Sequence, residues 1–282
     1  MAPNPGDRRI VADTLKTLDR ERYYATLVLP GAARPHVQAL YAYAAELATV
    51  ASRISDPAAG EVRLQWWIDA LEGAGHGDVR ANPVAAALLD AVEALRLPVE
   101  PLVRMAEARR FDIYDAPMPN LTQLEGYAGE TSAMAYHLAA LIVNAGADPG
   151  SADAAGHLGV AEVLTRGLMA LPHDLSRGRL RLPLSVFTAS GSGEAELLAG
   201  SQTPGVRAAA AQLRQVARRH LAKSRAAVAG LPRAVRPVFA PAAVAEMHLD
   251  RLDAGAATPL SPVRPIANWR KIAALVGRSL SA

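Results

Sequence analysis

Apolar residues recur every three or four positions along almost the whole chain, which is the period of an amphipathic α-helix. In residues 35–54, one such stripe contains Val37, Leu40, Tyr41, Ala44, Leu47 and Ala48. No sustained alternation of apolar and polar residues indicates a β-strand. The same period predicts further helices over 61–71, 83–95, 98–115, 121–145, 153–171, 204–229, 240–252 and 265–280.

The breaks between these predicted helices are short. A glycine-rich loop covers 73–82, a turn covers 146–150, and the last loop covers 254–262. The serine- and glycine-containing segment 183–200 is expected to be a loop with one short helix. No break is long enough for an interdomain linker and no repeat is evident, so residues 1–282 are predicted to form one all-α domain of about ten helices.

Composition excludes several classes of protein. The chain is 51% hydrophobic, which is too apolar for a disordered protein. It contains no cysteine, which excludes disulfides, Cys-ligated metal sites and a Cys nucleophile. No apolar run is long enough to span a membrane, and the acidic N-terminal segment is unlike a targeting signal, so a cytoplasmic protein is expected.

Almost all of the basic residues are arginines. The net charge is +3, and of the 30 Lys and Arg residues only Lys16, Lys223 and Lys271 are lysines. Because the arginines are spread along the chain, codon composition explains them better than a need for fork-shaped donors to phosphates or carboxylates. No nucleic-acid partner is expected.

Common catalytic motifs are absent from the sequence. There is no P-loop, dinucleotide-binding glycine motif, nucleophile elbow or HExxH zinc motif, and the seven histidines are scattered. In a helical protein, two carboxylates at positions i and i+4 lie on one helix face, where they can hold Mg²⁺ and a diphosphate. Such a pair is therefore the arrangement to look for.

Four stretches, in order and at matching spacing, resemble the squalene/phytoene synthase family. They are Tyr23 to Pro30 followed by Arg34 and the sequence ALYAY at 39–43; LQWW at 64–67 followed by NPVA at 82–85; Tyr127 within 124–133; and LGVA at 158–161 running to RGRLRLP at 177–183. The resemblance covers nearly the full length. It implies an isoprenoid-synthase-like helical bundle around a central cavity.

The resemblance also shows where this chain departs from active members of the family, which join two prenyl diphosphates on two Asp-rich, Mg²⁺-binding helices. Ala48, Thr49 and Ser52 occupy acidic positions of the first motif. In the second motif, other family polar positions hold Val163, Arg166, Met169 and Ala170, and only Asp174 matches an acid. Ala133 and Tyr136 replace small glycines and are expected to narrow the cavity. Since a metal cage would lack its ligands, no cofactor and little or no prenyl transfer are expected.

These departures resemble the branch of the family that acts in the assembly of respiratory complex I. The pieces retained are Tyr23 to Pro30, QWW at 65–67 and NWRK at 268–271. The resemblance implies a non-enzymatic role with complex I subunits or assembly intermediates. It also implies a bacterial cytoplasmic protein with peripheral contact to the inner membrane.

Two other functions remain open at the level of sequence. One is an active prenyltransferase for farnesyl or geranylgeranyl diphosphate, with Mg²⁺ held by the displaced acids Glu46, Asp56 and Asp174. The other is an isoprenoid- or lipid-binding module that keeps the tunnel without the chemistry.

Several polar residues are candidate ligand contacts. The cluster of Arg166, His173, Asp174, Arg177, Arg179 and Arg181 either binds an anion or forms a solvated helix end. Within it, Arg166 is expected either to replace the lost metal charge or to form a salt bridge with Asp174 or Glu162. Tyr23, Tyr41 and Tyr127 align near the family's cavity, although core packing with a bonded hydroxyl explains them as well. The basic helix within 206–229 is expected to be a solvated face or a contact to anionic lipid.

Overall fold

The chain folds into an all-α bundle, as the sequence predicts. The computed structural model describes residues 5–114 and 116–280, and no strand occurs in that part. The first helices are α1 (Pro5–Leu18), α2 (Arg20–Thr26), α3 (Arg34–Thr49), α4 (Pro57–Glu72), α5 (Pro83–Leu95), α6 (Glu100–Ala108) and α7 (Leu121–Ala128). The remaining helices are α8 (Met134–Val143), α9 (Ala152–Ser176), α10 (Leu184–Ala189), α11 (Glu194–Leu198), α12 (Pro204–Val228), α13 (Pro241–Ala254) and α14 (Asn268–Leu280). Short 3₁₀ turns cover Val79–Ala81, Arg109–Ile113 and Arg236–Phe239.

Several helices begin at a polar cap followed by proline. The side chain of Asn82 accepts bonds from the backbone amides of Val84 and Ala85, and Pro83 follows it at the first helical position. Asp56 and Thr203 cap α4 and α12 in the same way. A cap satisfies amides that have no partner within the helix, and proline has no amide to satisfy. The predicted helix over 83–95 is therefore confirmed at both ends.

Other boundaries differ from the prediction. The single helix expected over 121–145 is interrupted by a π-helical segment, Gly129–Ala133. The helix expected over 153–171 continues past Pro172 to Ser176, where burial of Leu175 helps to offset the amide bond that proline removes. The helix expected over 98–115 ends in a 3₁₀ turn, and its last predicted residue, Asp115, lies outside the described residues. Segment 183–200 holds two short helices.

Helix α9 lies at the centre of the bundle, packed against α7, α8, α12, α13 and the π-helical segment. Gly159 permits a close approach to the π-helical segment. A Cβ atom at this position would lie 2.4 Å from the Ala133 nitrogen and 2.6 Å from the Ala133 Cα and Cβ atoms. Only glycine lets the two backbones meet at this distance without a shift.

The basic face of α12 is directed at another helix. Arg214 and Arg218 form ion pairs with Asp253, at 2.7 and 2.5 Å, and Arg225 pairs with Glu246. Arg214 is buried, so the expectation of a solvated face is wrong for that residue, whereas the side chains of Arg218 and Arg225 remain 41 and 55% exposed beside the acids of α13. No helix in the described residues is long and apolar enough to cross a membrane.

Candidate functional site

A cavity of about 260 Å³ lies between α3, α7 and α9. Ala44, Ala45 and Ala48 of α3 form one wall. Val163, Gly167 and Ala170 of α9 form the facing wall. The cavity thus joins the two helices on which the sequence places the degenerate Asp-rich positions. Small apolar side chains occupy both walls.

Asp19, Arg22, Glu162 and Arg166 form the first charged cluster, at one end of this cavity. Arg166 donates two hydrogen bonds to Asp19, from Nη1 to Oδ2 at 2.8 Å and from Nη2 to Oδ1 at 3.2 Å. Its Nη2 atom also lies 2.9 Å from Glu162 Oε1. Arg22 donates from Nη2 to Glu162 Oε2 at 2.9 Å and to Ser132 Oγ at 3.2 Å. Asp19 also caps α2, which ties the start of that helix to α9.

The ionised state of this cluster follows from its pairing. Burial by itself would raise the pKa of Asp19, yet the charges of Arg166 and Arg22 outweigh it and lower that pKa. The pKa of Glu162 is lowered in the same way, against the effect of burial, by the same two arginines. All four side chains are therefore charged at neutral pH, and each carboxylate already has guanidinium partners.

A second cluster occupies the other end of the cavity. Arg109 donates from Nη1 to the Tyr127 hydroxyl at 2.6 Å and to Asp112 Oδ2 at 3.1 Å, and the Tyr127 hydroxyl donates to the same oxygen at 2.8 Å. Arg181 lies 4.0 Å from both Asp112 and Asp174. Burial raises the pKa of Asp174, which Arg181 only partly opposes. Asp174 is thus the least strongly paired acid in the cavity.

The charges around the cavity balance. Arg22, Arg109, Arg166 and Arg181 line it together with Asp19, Asp112 and Asp174. The fourth carboxylate, Glu162, does not line the cavity but pairs with Arg22 and Arg166. In the described part of the chain, no group of three or more His, Asp or Glu residues could hold a metal ion. A Mg²⁺ cage needs several free carboxylate oxygens, and here arginines and a tyrosine already bond to most of them. The donor set therefore does not fit Mg²⁺.

The structure brings together some of the residues that the sequence singled out. Ala48, Arg166, Ala170, Asp174 and Tyr127 all line the cavity, as does Arg181. Arg166 pairs with Asp19 and Glu162 rather than with Asp174, and of these two partners only Glu162 was predicted from the sequence.

Other candidates lie elsewhere. The Ser52 hydroxyl bonds to the Thr49 carbonyl and the Thr49 hydroxyl to the Glu46 carbonyl, and none of these three residues lines the cavity. Asp56 is the exposed N-cap of α4. The alternative metal set of Glu46, Asp56 and Asp174 is therefore not assembled at this site.

The remaining basic candidates are on the rim or beyond it. His173 and Arg177 are exposed, and Arg179 lies in a small neighbouring depression beside Phe111 and Asp112. None of these three side chains lines the cavity. The six residues that the sequence grouped as one possible anion-binding cluster therefore do not form a single site, because only three of them line the cavity.

Aromatic side chains fill the interior behind the first cluster. Tyr41 and Tyr136 are fully buried with their rings edge to face, and the guanidinium group of Arg22 lies over both rings, at 5.3 and 5.4 Å from their centres. Tyr136 was expected to narrow the cavity, but it is buried in the core and does not line the cavity. Ala133 does not line the cavity, because it packs against Gly159 instead. Tyr23 is half-buried and packs on Tyr24, outside the cavity.

Four of the charged residues that build this site were not predicted from the sequence: Asp19, Arg22, Arg109 and Asp112. One signal was available, because Glu162 and Arg166 stand four residues apart in the apolar middle part of α9. A charged pair in such a place indicates buried ionic partners on other elements. The identity of those partners has no local signal, since Arg22 and Glu162 are 140 residues apart.

Comparisons with known proteins give a consistent picture. A family model described as squalene/phytoene synthase matches residues 15–270. The chain is 28% identical over 247 residues to NADH dehydrogenase (ubiquinone) complex I, assembly factor 6, of Bos taurus, covering 88% of this chain and 74% of the relative. It is 30% identical over 225 residues to the phytoene synthase of Thermus thermophilus, covering 73% of each. The crystal structure of a dehydrosqualene synthase in complex with ligand shares the fold, with a TM-score of 0.82, 19% identity and coverage of 98% of this chain and 96% of that chain.

Proposed function

We propose that this chain, which belongs to the squalene/phytoene synthase family, acts in the assembly of respiratory complex I and not in prenyl transfer. Similarity to an assembly factor of NADH dehydrogenase over 88% of the chain supports the role. The similarity to a phytoene synthase is a reason to test the enzymatic alternative directly.

The charge balance of the cavity carries this proposal. Departure of a diphosphate requires groups that stabilise the developing negative charge, and in Mg²⁺-dependent enzymes metal ions supply them. Here the α3 wall presents Ala44, Ala45 and Ala48 instead of acids, and Asp19 accepts two bonds from Arg166. The arginines are held by carboxylates as well, so little positive charge is left for a diphosphate.

Deleting the gene is expected to lower the amount of assembled complex I several-fold. Membranes would lose rotenone-sensitive NADH oxidation in proportion, because the enzyme fails to assemble, while succinate oxidation stays unchanged. Native gel electrophoresis of membranes and the two oxidation rates measure this. Expression of the wild-type chain should restore the complex, and so should Asp174→Ala, since assembly does not need a metal ligand. Normal complex levels in the deletion strain would contradict the proposal.

The prenyltransferase alternative predicts a different set of results. Purified protein incubated with Mg²⁺ and farnesyl or geranylgeranyl diphosphate would form a condensed product, and Asp174→Ala would abolish it. We expect no product above that of a no-protein control. Product formation that depends on Asp174 would overturn the non-catalytic function.

Helix α14 has an exposed surface that suggests contact with a membrane. Its inner side is held by buried Leu275 and by the bond from Lys271 Nζ to Glu21 Oε1, at 2.5 Å. Its outer side is an apolar stripe, defined here as Trp269, Ile272, Val276 and Leu280, whose exposed fractions are 70, 36, 41 and 83%. Residues 254–282 contain four basic residues and no acid. An apolar stripe beside positive charge fits an anionic membrane surface, so we propose peripheral membrane contact through α14.

The combined substitution Trp269→Ser/Val276→Ser is expected to lower binding to anionic vesicles at least tenfold, because it removes two exposed apolar contacts of the stripe. Co-sedimentation with phosphatidylglycerol vesicles measures the binding, and phosphatidylcholine vesicles should bind the wild-type chain weakly. Val62→Ser is the matched control, because Val62 is 70% exposed on α4, away from α14, and should leave binding unchanged. Equal binding of the wild-type chain and the α14 variant would exclude this surface.

A further inference from the structure

A second cavity lies on another side of α9. Its volume is about 360 Å³, within the range of sites for small organic ligands. Leu168 of α9 and Leu252 of α13 form a buried apolar floor. Gly167 and Ala170 line the first cavity, whereas Leu168 between them lines the second, so the two cavities are separated by the thickness of one helix.

The rim of this second cavity is polar and basic. Arg214, Arg251 and Arg264 line it together with Thr258 and Ser261, and no carboxylate is among the described residues around it. The two hydroxyl groups add donors and acceptors beside the guanidinium groups. The segment between α13 and α14 contributes most of this rim.

The positive charge at this rim is only partly neutralised. Arg214 bonds to Asp253 at 2.7 Å, and Arg218 bonds to both Asp253 and Asp250, so the charge of Arg214 is compensated. Arg251 and Arg264 form no ion pair or hydrogen bond with any described residue. The first cavity balances four charges against four, whereas this one retains an excess of guanidinium groups.

We propose that this second cavity binds a small organic anion with an apolar body and a carboxylate or phosphate head. The apolar floor would accept the body of the ligand, and burial there contributes in proportion to the area removed from water. Arg251 and Arg264 would hold the head through paired N–H donors, which match the two oxygens of a carboxylate or phosphate. This site is independent of the family's cavity and of the assembly role.

Titration calorimetry with dodecanoate and dodecyl phosphate, both below their micellar concentrations, tests the site. We expect at least one of these anions to bind at least tenfold more tightly than uncharged dodecanol. Whichever anion binds more tightly identifies the head group. Arg251→Gln/Arg264→Gln should weaken that binding at least tenfold, because it removes both unpaired guanidinium groups while leaving the apolar floor intact.

Two controls separate this site from general effects. Arg219→Gln/Arg233→Gln removes two exposed charges elsewhere and should leave the affinity within twofold of the wild type. Trp269→Ser/Val276→Ser removes part of the apolar stripe of α14 and should also leave it unchanged. Equal affinity for the anions and dodecanol, or equal weakening by the two double arginine variants, would overturn the proposal. Circular dichroism of each variant checks that the fold is retained.

Discussion

Replacement of Arg22 by methionine is expected to lower the free energy of unfolding by about 3–5 kcal/mol. Arg22 is 6% exposed and is bonded to Glu162 and Ser132. Without it, Asp19 and Glu162 would share only the positive charge of Arg166, and one buried negative charge would be left uncompensated. Chemical denaturation followed by circular dichroism measures the loss.

Two further variants show whether charge is the cause. Arg22→Met/Glu162→Met leaves Asp19 and Arg166 as a balanced pair and should recover most of the lost stability. Arg9→Met breaks an ion pair whose side chains are 88 and 67% exposed, and it should change stability by less than about 1 kcal/mol. If Arg22→Met were as mild as Arg9→Met, the cluster would not be important for stability.

Gly159→Ala is expected to destabilise the protein by about 1–3 kcal/mol, although alanine is the better helix former. The new methyl group would lie 2.4 Å from the backbone nitrogen of Ala133, and backbone atoms cannot rotate away as a flexible side chain can. Helix α9 and the π-helical segment would have to separate. That would disturb Ser132, which lies on the same segment and accepts a bond from Arg22.

Gly156→Ala is the matched control for this substitution. Gly156 lies one turn earlier on α9, and a Cβ atom there has no neighbour within 4 Å. Alanine should therefore stabilise the helix by about 0.5–1 kcal/mol, through its higher helix propensity alone. Thermal unfolding of the two variants should shift in opposite directions. A shift of the same sign and size in both would show that the close approach at Gly159 is unimportant.

The ends of helices could be predicted where their signals are local. Asn82 followed by Pro83 marks the start of α5, because capping and the missing proline amide involve only neighbouring residues. The break at Gly129–Ala133 had no such signal, because a helical stripe runs through it. It occurs at the place where the backbone of α9 comes close, through Gly159. An interruption set by packing between distant segments cannot be seen in a periodicity of three to four residues.

The candidate site, too, could be predicted from the sequence only in part. The absence of acids at Ala48 and Ala170 is visible in the sequence, and so is the survival of Asp174. The replacement of a metal cage by paired arginines is not visible, because Arg22 and Glu162 meet across 140 residues. The sequence shows which groups are missing, whereas the fold shows how the remaining charges are compensated.

The sequence by itself determined the all-α class, most of the long helices, the family and the loss of the Asp-rich motifs, because helical period and motif spacing are local properties of the chain. Only the tertiary structure decided that Asp19, Arg22, Glu162 and Arg166 form one balanced cluster. It also decided that Arg214, Arg218 and Arg225 of α12 pair with acids of α13, while Arg251 and Arg264 have no partner among the described residues. The physical reason is that ionic pairing depends on distance in space, and a sequence specifies which charges exist without specifying which of them meet.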